Sequence, residues 1–389
     1  MGILTRAFAR FVLPLDLKLT LSFRVQKTRK PAQERVVLVK RTSFITRTIT
    51  RRNFIRLAAL TSAGAALTAS GCASASSTST SSTESAASAS EIAAASTAAE
   101  NAITSSPSTE ALATFMLMSD MHINSGSDTE IARFRQALAD VASFETRPNA
   151  IAVIGDLSDQ GYAEEHELFK QIVQESEFSL DEMIIAMGNH DLWVVDDAEN
   201  EALVAQQRED FVAAYNLPGL YYETQVAGQH VVVLGPDKFC SDWVRFDMTD
   251  EQLSWLDGIL AADAAAGVHT YVFCHEPINN TVPGSEEGSW GSRNSFIDYE
   301  KIDAVVSKYP QAVYLSGHTH VYPGIEASDA SRPIYVNDGS CRSSYKPGTD
   351  ERGSWGMHMT IYSDHLAFHV RDFENHQWLE EPLTAYFNR

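Results

Sequence analysis

Five short apolar runs, each broken off by acid, amide or imidazole residues, constrain this chain more than any other feature. TFMLMS (114–119) runs into Asp120-Met121-His122, and NAIAVI (149–154) into GDLSDQG with Asp156 and Asp159. EMIIAM (182–187) runs into GNHD with Asn189, His190 and Asp191. HTYVFC (269–274) runs into HEP with His275, and AVYLS (312–316) into GHTH with His318 and His320. Runs that are apolar on successive rather than alternate residues read as strands covered on both faces. Between them lie helical signals. Ser127 with Glu130, and Thr249 with Gln252, read as capping boxes ahead of IARFRQALADVASF and LSWLDGILAADAA. Weaker helical patterns cover 163–175, 199–215 and 299–308. Strands alternating with helices build βαβ units, whose ligands bind outside the carboxyl ends of the strands. Every polar cluster stands at such an end, and Gly155, Gly188 and Gly317 are expected to supply the tight turns there. One His-x-His is weak evidence; five clusters at five strand ends point to one shared site.

The residue types say what that site holds. Asp120, His122, Asp156, Asn189, His275, His318 and His320 form a mixed nitrogen and oxygen set without a thiolate. Such a set suits Mn, Fe, Zn or Co better than Ca, which takes oxygen alone. Seven ligands exceed one tetrahedral ion and suit two ions roughly 3.5–4 Å apart with a shared carboxylate.

Taken in order, Asp-x-His, Gly-Asp-x-x-Asp, Gly-Asn-His-Asp, a lone His and Gly-His-x-His resemble the calcineurin-like metallophosphoesterases, from about Phe115 to His320. The resemblance implies an α/β fold of two facing mixed β-sheets flanked by helices, acting on a small phosphoester. It implies that Asp120, His122, Asp156 and His320 hold one metal ion. Asp156, Asn189, His275 and His318 would hold the other, with Asp156 bridging. A metal-bridging hydroxide would be the nucleophile. His190 would lie beside the ions without binding either, stabilising the transition state or protonating the leaving alkoxide, and Asp159 would orient it. Purple acid phosphatases carry a ligand Tyr where this chain has Asp159, which disfavours that branch. The spacing from Asp120 to Asp156 looks most like the branch of bacterial cyclic-nucleotide and glycerophosphodiester phosphodiesterases.

Other features are read more plainly. The loop 277–296, PINNTVPGSEEGSWGSRNSF, follows His275 directly. Long loops at strand ends shape pockets; Trp290 is placed to stack on a ring and Arg293 to bind phosphate, against the blander reading of a solvated loop. The stretch DGSCRSSY (338–345) approaches the same site on weaker grounds. Asp191 reads as a local cap. His166, His230, His269, His358, His365, His369 and His376 read as ordinary structural residues, several at surfaces or edges. Cys240, Cys274 and Cys341 have no metal-type spacing and allow either one disulfide or three buried thiols.

Upstream, TITRRNFIRLAALTSAGAALTASGCAS resembles a twin-arginine export signal ending in a bacterial lipoprotein cleavage site. Arg51 and Arg52 precede an uncharged run, Leu57–Gly71, that is too short to span a bilayer. By that resemblance Cys72 would be diacylated, giving two-chain anchoring to the outer face of the cytoplasmic membrane. The expected organisation is therefore extension and signal at 1–72, an Ala/Ser/Thr-rich tether at 73–113, and a catalytic domain at 114–389. The tether lacks the aromatic and branched residues a core needs. Of the 30 basic residues, 14 lie in 1–56 beside two acidic ones; the remaining 16 basic and 49 acidic residues carry a formal charge of −33. Stable nucleic-acid binding is not expected of such a domain. Two other readings fit the same sequence: a non-catalytic surface-binding lipoprotein, and an enzyme remodelling phosphate-linked envelope polymers.

Overall fold

The computed structural model describes residues 107–192, 200–238 and 246–387. The twin-arginine segment, Cys72, nearly all of the tether and Cys240 lie outside the described residues. In chain order the elements are β1 (Ala113–Met118), α1 (Asp128–Ala142), β2 (Ala150–Ile154), α2 (Ala163–Glu175), β3 (Met183–Ala186) and α3 (Asn200–Ala214). Next come β4 (Tyr222–Val226), β5 (Gln229–Val233), α4 (Asp250–Ala266), β6 (Thr270–Phe273), α5 (Trp290–Asn294), α6 (Tyr299–Val306) and β7 (Ala312–Ser316). The chain ends in β8 (Gly324–Glu326), β9 (Ile334–Asn337), β10 (Ser340–Tyr345), β11 (Arg352–Ile361), β12 (His365–Asp372) and β13 (Gln377–Tyr386).

The strands form two mixed sheets. One runs β13-β12-β11-β1-β2-β3, with β10 also on β11; the other runs β4-β5-β6-β7-β9-β8. The parallel ladders β1–β2–β3 and β5–β6–β7–β9 carry the five predicted runs. Period-two geometry then sorts each run between two cores. Phe115, Leu117, Ala152 and Ile154 of the first sheet meet Tyr271, Phe273, Val313 and Leu315 of the second, filling the space between the sheets. The alternate residues Met116, Met118, Ile151 and Val153 pack outward under Phe134, Leu138, Phe169 and Ile172 of α1 and α2. On the far side Val272 and Tyr314 pack under Leu256 and Leu260 of α4 and Ile302 and Val306 of α6. This is the four-layer sandwich, and each fully buried Leu, Ile, Val, Phe or Met in it contributes about 1.5–3 kcal/mol.

Helix α2 occupies the predicted 163–175, and α3 and α6 fall inside their predicted spans. Neither capping box closes as expected. The Ser127 hydroxyl bonds the Glu130 carboxylate and makes no cap bond to the helix backbone. Thr249 does accept from the Gln252 N–H, but the Gln252 side chain serves Gly235 instead. Ala113, counted with the tether, opens β1, and just ahead of it the Leu112 N–H donates to the Ile361 carbonyl at 2.8 Å. Among the described residues no helix is long and apolar enough to cross a membrane.

Candidate metal centre

Backbone hydrogen bonds lace together the loops leaving β1 and β2 and those leaving β6 and β7, while the β3 loop is tied in through the carboxylates of Asp156 and Asp191. Asp120 and His122 donate their N–H groups to the carbonyls of Gly155 and Asp156, at 3.1 and 3.0 Å. Gly317 donates to the carbonyl of His275 at 3.0 Å. Strand β10 closes the ring: Cys341 and Arg342 donate to Ser119 and Asp120, and Tyr345 donates to His320. The sequence stretch 338–345 thus reaches the site.

Local backbone is strained where the candidate ligands sit. Asp120, His122, Asp156, His318 and His320 all have positive φ, between 46° and 67°. Left-handed backbone costs an L-residue about 1–2 kcal/mol. The three motif glycines are explained differently from one another. Only Gly155 has positive φ, at 82°. Gly188 and Gly317 are there for space. A Cβ at Gly188 would lie 2.3 Å from Oδ1 of Asp156, and one at Gly317 would lie 2.2 Å from Oγ of Ser119. The expectation of tight turns at all three gives way to close packing against ligands at two.

The side chains converge in groups whose donor atoms lie within 4.8 Å of one another: Asp120, His122 and His320; Asp156, His275 and His318; and His122, Asp156 and His190. Nε2 of His320 is 3.0 Å from Oδ1 of Asp120 and 3.2 Å from Nε2 of His122. Nε2 of His275 is 3.1 Å from Oδ2 of Asp156, which is also 3.5 Å from Nε2 of His122. His318 and His320 therefore part into separate groups, and Asp156 is within reach of both. Asn189 is buried in the adjoining loop.

These atoms fit a cation. His275 donates Nδ1–H to the carbonyl of Ile154 at 2.7 Å, which fixes its tautomer and turns Nε2 inward as a lone pair. Nε2 of His318 is buried without a hydrogen-bond partner, and Nε2 of His275 and Oδ1 of Asp120, though within 3.1 and 3.0 Å of Asp156 and His320, make no hydrogen bond of good geometry. Leaving a buried polar atom unsatisfied costs about 1–3 kcal/mol; a bound cation satisfies all three. Charge points the same way. Burial opposes ionisation of Asp120 and Asp156, yet the surrounding histidines hold both carboxyls well below the usual carboxylate range. Burial likewise opposes charge on His122, but the nearby carboxylates of Asp120, Asp159 and Asp156 raise it to about 9. His275 is raised well above the usual imidazole value by Asp156 and Asp120, against its burial. His318 is lowered to about 3 by burial and by the charge of His275. The pocket demands positive charge, and the chain alone can meet that demand only with protons.

The surroundings differ from expectation at Asp159. His190 Nδ1 lies 2.8 Å from the backbone carbonyl of Asp159, so residue 159 orients His190 through its main chain. The carboxylate is turned elsewhere. It lies 3.3 Å from Nδ1 of His122, accepts from Asn124 at 2.9 Å and pairs with Arg342 at 3.2 Å. A carboxylate behind a candidate ligand histidine fixes ring orientation and raises its basicity. Asp191 behaves as the local cap expected, accepting from the N–H and Oγ of Ser158 and the N–H of Gly188, each at 2.9 Å. Arg293 turns to the Ser289 carbonyl, at 3.1 Å. Trp290 does reach the site, stacked on the His318 ring with centroids 5.1 Å apart.

Four contributors were not singled out in the sequence reading. Ser119 hydrogen-bonds both Asp120 and Asp338, linking a candidate ligand to a buried acid. Asp338 and Glu276 are fully buried, and burial pushes both carboxyls well above the usual range. Arg342 lies between Asp159 and Glu130. Only Arg342 and Asp338 had a signal, their place in the stretch 338–345. Of the structural histidines, His166 and His365 are buried rather than peripheral, His166 against the Tyr215 hydroxyl at 2.9 Å. Cys274 and Cys341 are buried free thiols.

A two-sheet sandwich with histidines and carboxylates gathered at its strand ends defines the metal-dependent phosphoester hydrolases. Residues 113–322 match the family model described as calcineurin-like phosphoesterase, and the chain belongs to that family. A probable cyclic nucleotide phosphodiesterase of Rhodococcus erythropolis is 26% identical over 265 residues, covering 65% of this chain and 79% of that protein. Purple acid phosphatase 22 of Arabidopsis thaliana is 26% identical over 165 residues, 40% of this chain and 35% of that protein. In fold, the chain is similar to a purple acid phosphatase from yellow lupin (Lupinus luteus) seeds, with TM-score 0.50 and 14% identity, covering 70% of this chain and 53% of that one. The protein is a hydrolase acting on phosphoesters.

Proposed function

We propose that this hydrolase uses two metal ions to cleave phosphodiesters outside the cytoplasmic membrane. The observation that carries the two-ion reading is the pair of donor groups, Asp120–His122–His320 and Asp156–His275–His318, that meet at Asp156. Asp120, His122, Asp156 and His320 would hold one ion, and Asp156, Asn189, His275 and His318 the other. When bound, such ions acidify water to a nucleophile near neutral pH and neutralise charge on phosphate oxygens. The rest falls to the chain. Asp156 accepts the His190 N–H at 2.8 Å, which ties the bridging carboxylate to the loop of the acid. His190 donates Nδ1–H to the Asp159 carbonyl, and its Nε2 would carry a proton to the departing alkoxide. Diester preference is supported by the longer match to the cyclic nucleotide phosphodiesterase. Export and anchoring rest on Arg51, Arg52 and Cys72 in the sequence.

The test is turnover of bis(4-nitrophenyl) phosphate by the purified full chain, with elemental analysis of the same sample. About two ions per chain, activity lost to chelator and restored by Mn, Fe, Zn or Co, is expected. Undiminished turnover after complete removal of metal refutes the reading. Cell fractionation tests the address: Cys72→Ser should leave the membrane fraction, and its unaltered retention there refutes lipid anchoring.

A further inference from the structure

Trp290 is the most exposed large apolar side chain among the described residues, at 51%. Its indole lies over the His318 imidazole, 29° from parallel, with centroids 5.1 Å apart. His318 itself is buried, and its Nε2 belongs to the group formed with Asp156 and His275. The indole is thus the outermost layer on that side of the metal centre. The indole therefore flanks, through His318, the group that His318 forms with Asp156 and His275.

The indole is also held in place. Gly284 sits with φ +88°, and a Cβ there would lie 2.8 Å from Cβ of Thr319, the residue between His318 and His320. A Cβ on Gly291 would lie 2.3 Å from the Gly284 carbonyl oxygen. Ser289 caps α5 by accepting from the Ser292 N–H at 3.0 Å and donates to the Gly284 carbonyl at 2.7 Å. Asn294 donates to the Trp290 carbonyl at 2.7 Å. The loop is clamped onto the two-histidine turn, so one face of the indole rests on His318 while much of the ring is left to solvent. A fixed, half-exposed aromatic face gains stacking energy from a planar ring and little from an alkyl chain.

We propose that Trp290 sets specificity at this site, favouring phosphoesters that carry a planar ring, a nucleobase or an aryl group, over esters of small polyols. The proposal builds on the phosphodiesterase reading, and binding measurements separate the two. Calorimetry on the metal-loaded full chain compares phenylphosphonate with methylphosphonate, and AMP with ribose 5-phosphate; each pair shares its anion and differs by a ring. Wild type should prefer the ringed member of each pair. Trp290→Ala should reduce that preference by about 5- to 150-fold, the range that base–aromatic stacking spans. Trp290→Phe should keep most of it, and Trp378→Ala, an exposed indole stacked on His369 elsewhere, should change nothing. Preference confined to the AMP pair assigns a nucleobase, and preference in both pairs assigns any planar ring. Equal loss of affinity for ringed and ringless members in Trp290→Ala would make the indole a mere cover for His318 and overturn the proposal. So would tighter, Trp290-dependent binding of phosphocholine than of AMP. If the ring preference holds while no phosphoester is turned over, the hydrolytic reading falls and the specificity assignment stands.

Discussion

Replacing Gly155 with Ala tests whether the fold was shaped around His275. Two penalties arise at this position. The first is conformational: φ is +82°, a region that costs an L-residue about 1–2 kcal/mol. The second is steric: the new Cβ would lie 2.5 Å from Cγ and Nδ1 of the His275 ring. Ordinary contact begins near 3.4 Å, so the ring must retreat by about 1 Å. It cannot do so while keeping its 2.7 Å bond to the Ile154 carbonyl, and Nε2 moves away from Asp156 with it. Displacing an orienting contact of a metal ligand costs about 10- to 100-fold in affinity, or roughly 1.4–2.7 kcal/mol.

Gly228 separates the two penalties. Its φ is +80°, nearly that of Gly155, but nothing lies within 4 Å of a Cβ built there. Gly228→Ala therefore carries the backbone penalty alone. After equilibration with buffered Mn or Zn, Gly228→Ala should match wild type in ions per chain by elemental analysis. Gly155→Ala should lose an ion at metal concentrations that still saturate the control, and its kcat/KM should fall about 100-fold, as expected for a 1 Å misplacement. Thermal melts of the metal-free proteins should place both variants below wild type, with Gly155→Ala the lower because it alone carries the steric penalty. Metal affinity in Gly155→Ala equal to that of Gly228→Ala would refute the reasoning.

His190→Ala should lower kcat by about 10²–10⁴ with metal content intact, and the loss should be smaller for a nitrophenyl ester than for an alkyl ester, whose leaving group needs the proton; loss of metal would instead make His190 a ligand. Arg371 and Asp140 form a buried bidentate pair at 2.7 and 2.7 Å between β12 and α1, so Arg371→Ala should destabilise the domain by about 3–5 kcal/mol in denaturant melts, and Arg371→Lys should not restore it. A loss below about 1 kcal/mol would contradict that assignment. The metal-free protein should lose stability as pH rises. The pKa of His122 goes from the usual 6.5 to about 9 on folding, and that of His275 is also raised, so their stabilisation is complete below about 6.5 and is lost as pH climbs through 9. For His122 the loss is at most about 3 kcal/mol. His318, lowered to about 3, is neutral in the folded chain but half protonated in the unfolded chain at pH 6.5, so it opposes the slope by only about 0.4 kcal/mol over this window. Chemical denaturation at pH 6.5 and 9 with chelator present checks the sign, and stability rising over that interval would refute it.

What the sequence disclosed follows from what its patterns encode. The five apolar runs were legible because a strand buried on both faces shows no alternation, and the polar clusters were legible because each interrupts such a run. Helix α2 lies where it was expected, and its buried Glu165, Phe169, Ile172 and Val173 recur at helical spacing. Strand β13 was missed because QWLEEPLTAY pairs with β12 but is mostly exposed, so it has no apolar face to reveal it. Side-chain direction within a turn was also invisible. Asp159 stands where the family resemblance implies a partner for His190, yet a backbone carbonyl takes that role and the carboxylate faces His122, Asn124 and Arg342. Ser119 and Asp338 are 219 positions apart, and nothing local to either announces that they meet.

The left-handed backbone at the candidate ligands was the least legible feature and explains most about how the site is built. In an extended strand His318 and His320 would point the same way. Both instead have positive φ, as do Asp120 and His122, which stay in one group. With that backbone His318 joins Asp156 and His275 while His320, two residues on, joins Asp120 and His122. Five such residues at about 1–2 kcal/mol each store strain that no single contact here could hold. The holding is distributed over the lattice of N–H donors from Asp120, His122, Gly317, Cys341, Arg342 and Tyr345, which spans both sheets. The same turns aim buried Nε2 and Oδ1 atoms that lack a good hydrogen bond into the pocket, where only positive charge relieves them. Strain fixed by the sheets and charge left unmet by the side chains thus act in the same direction: both make the folded chain a preformed receptor for cations rather than one assembled around them.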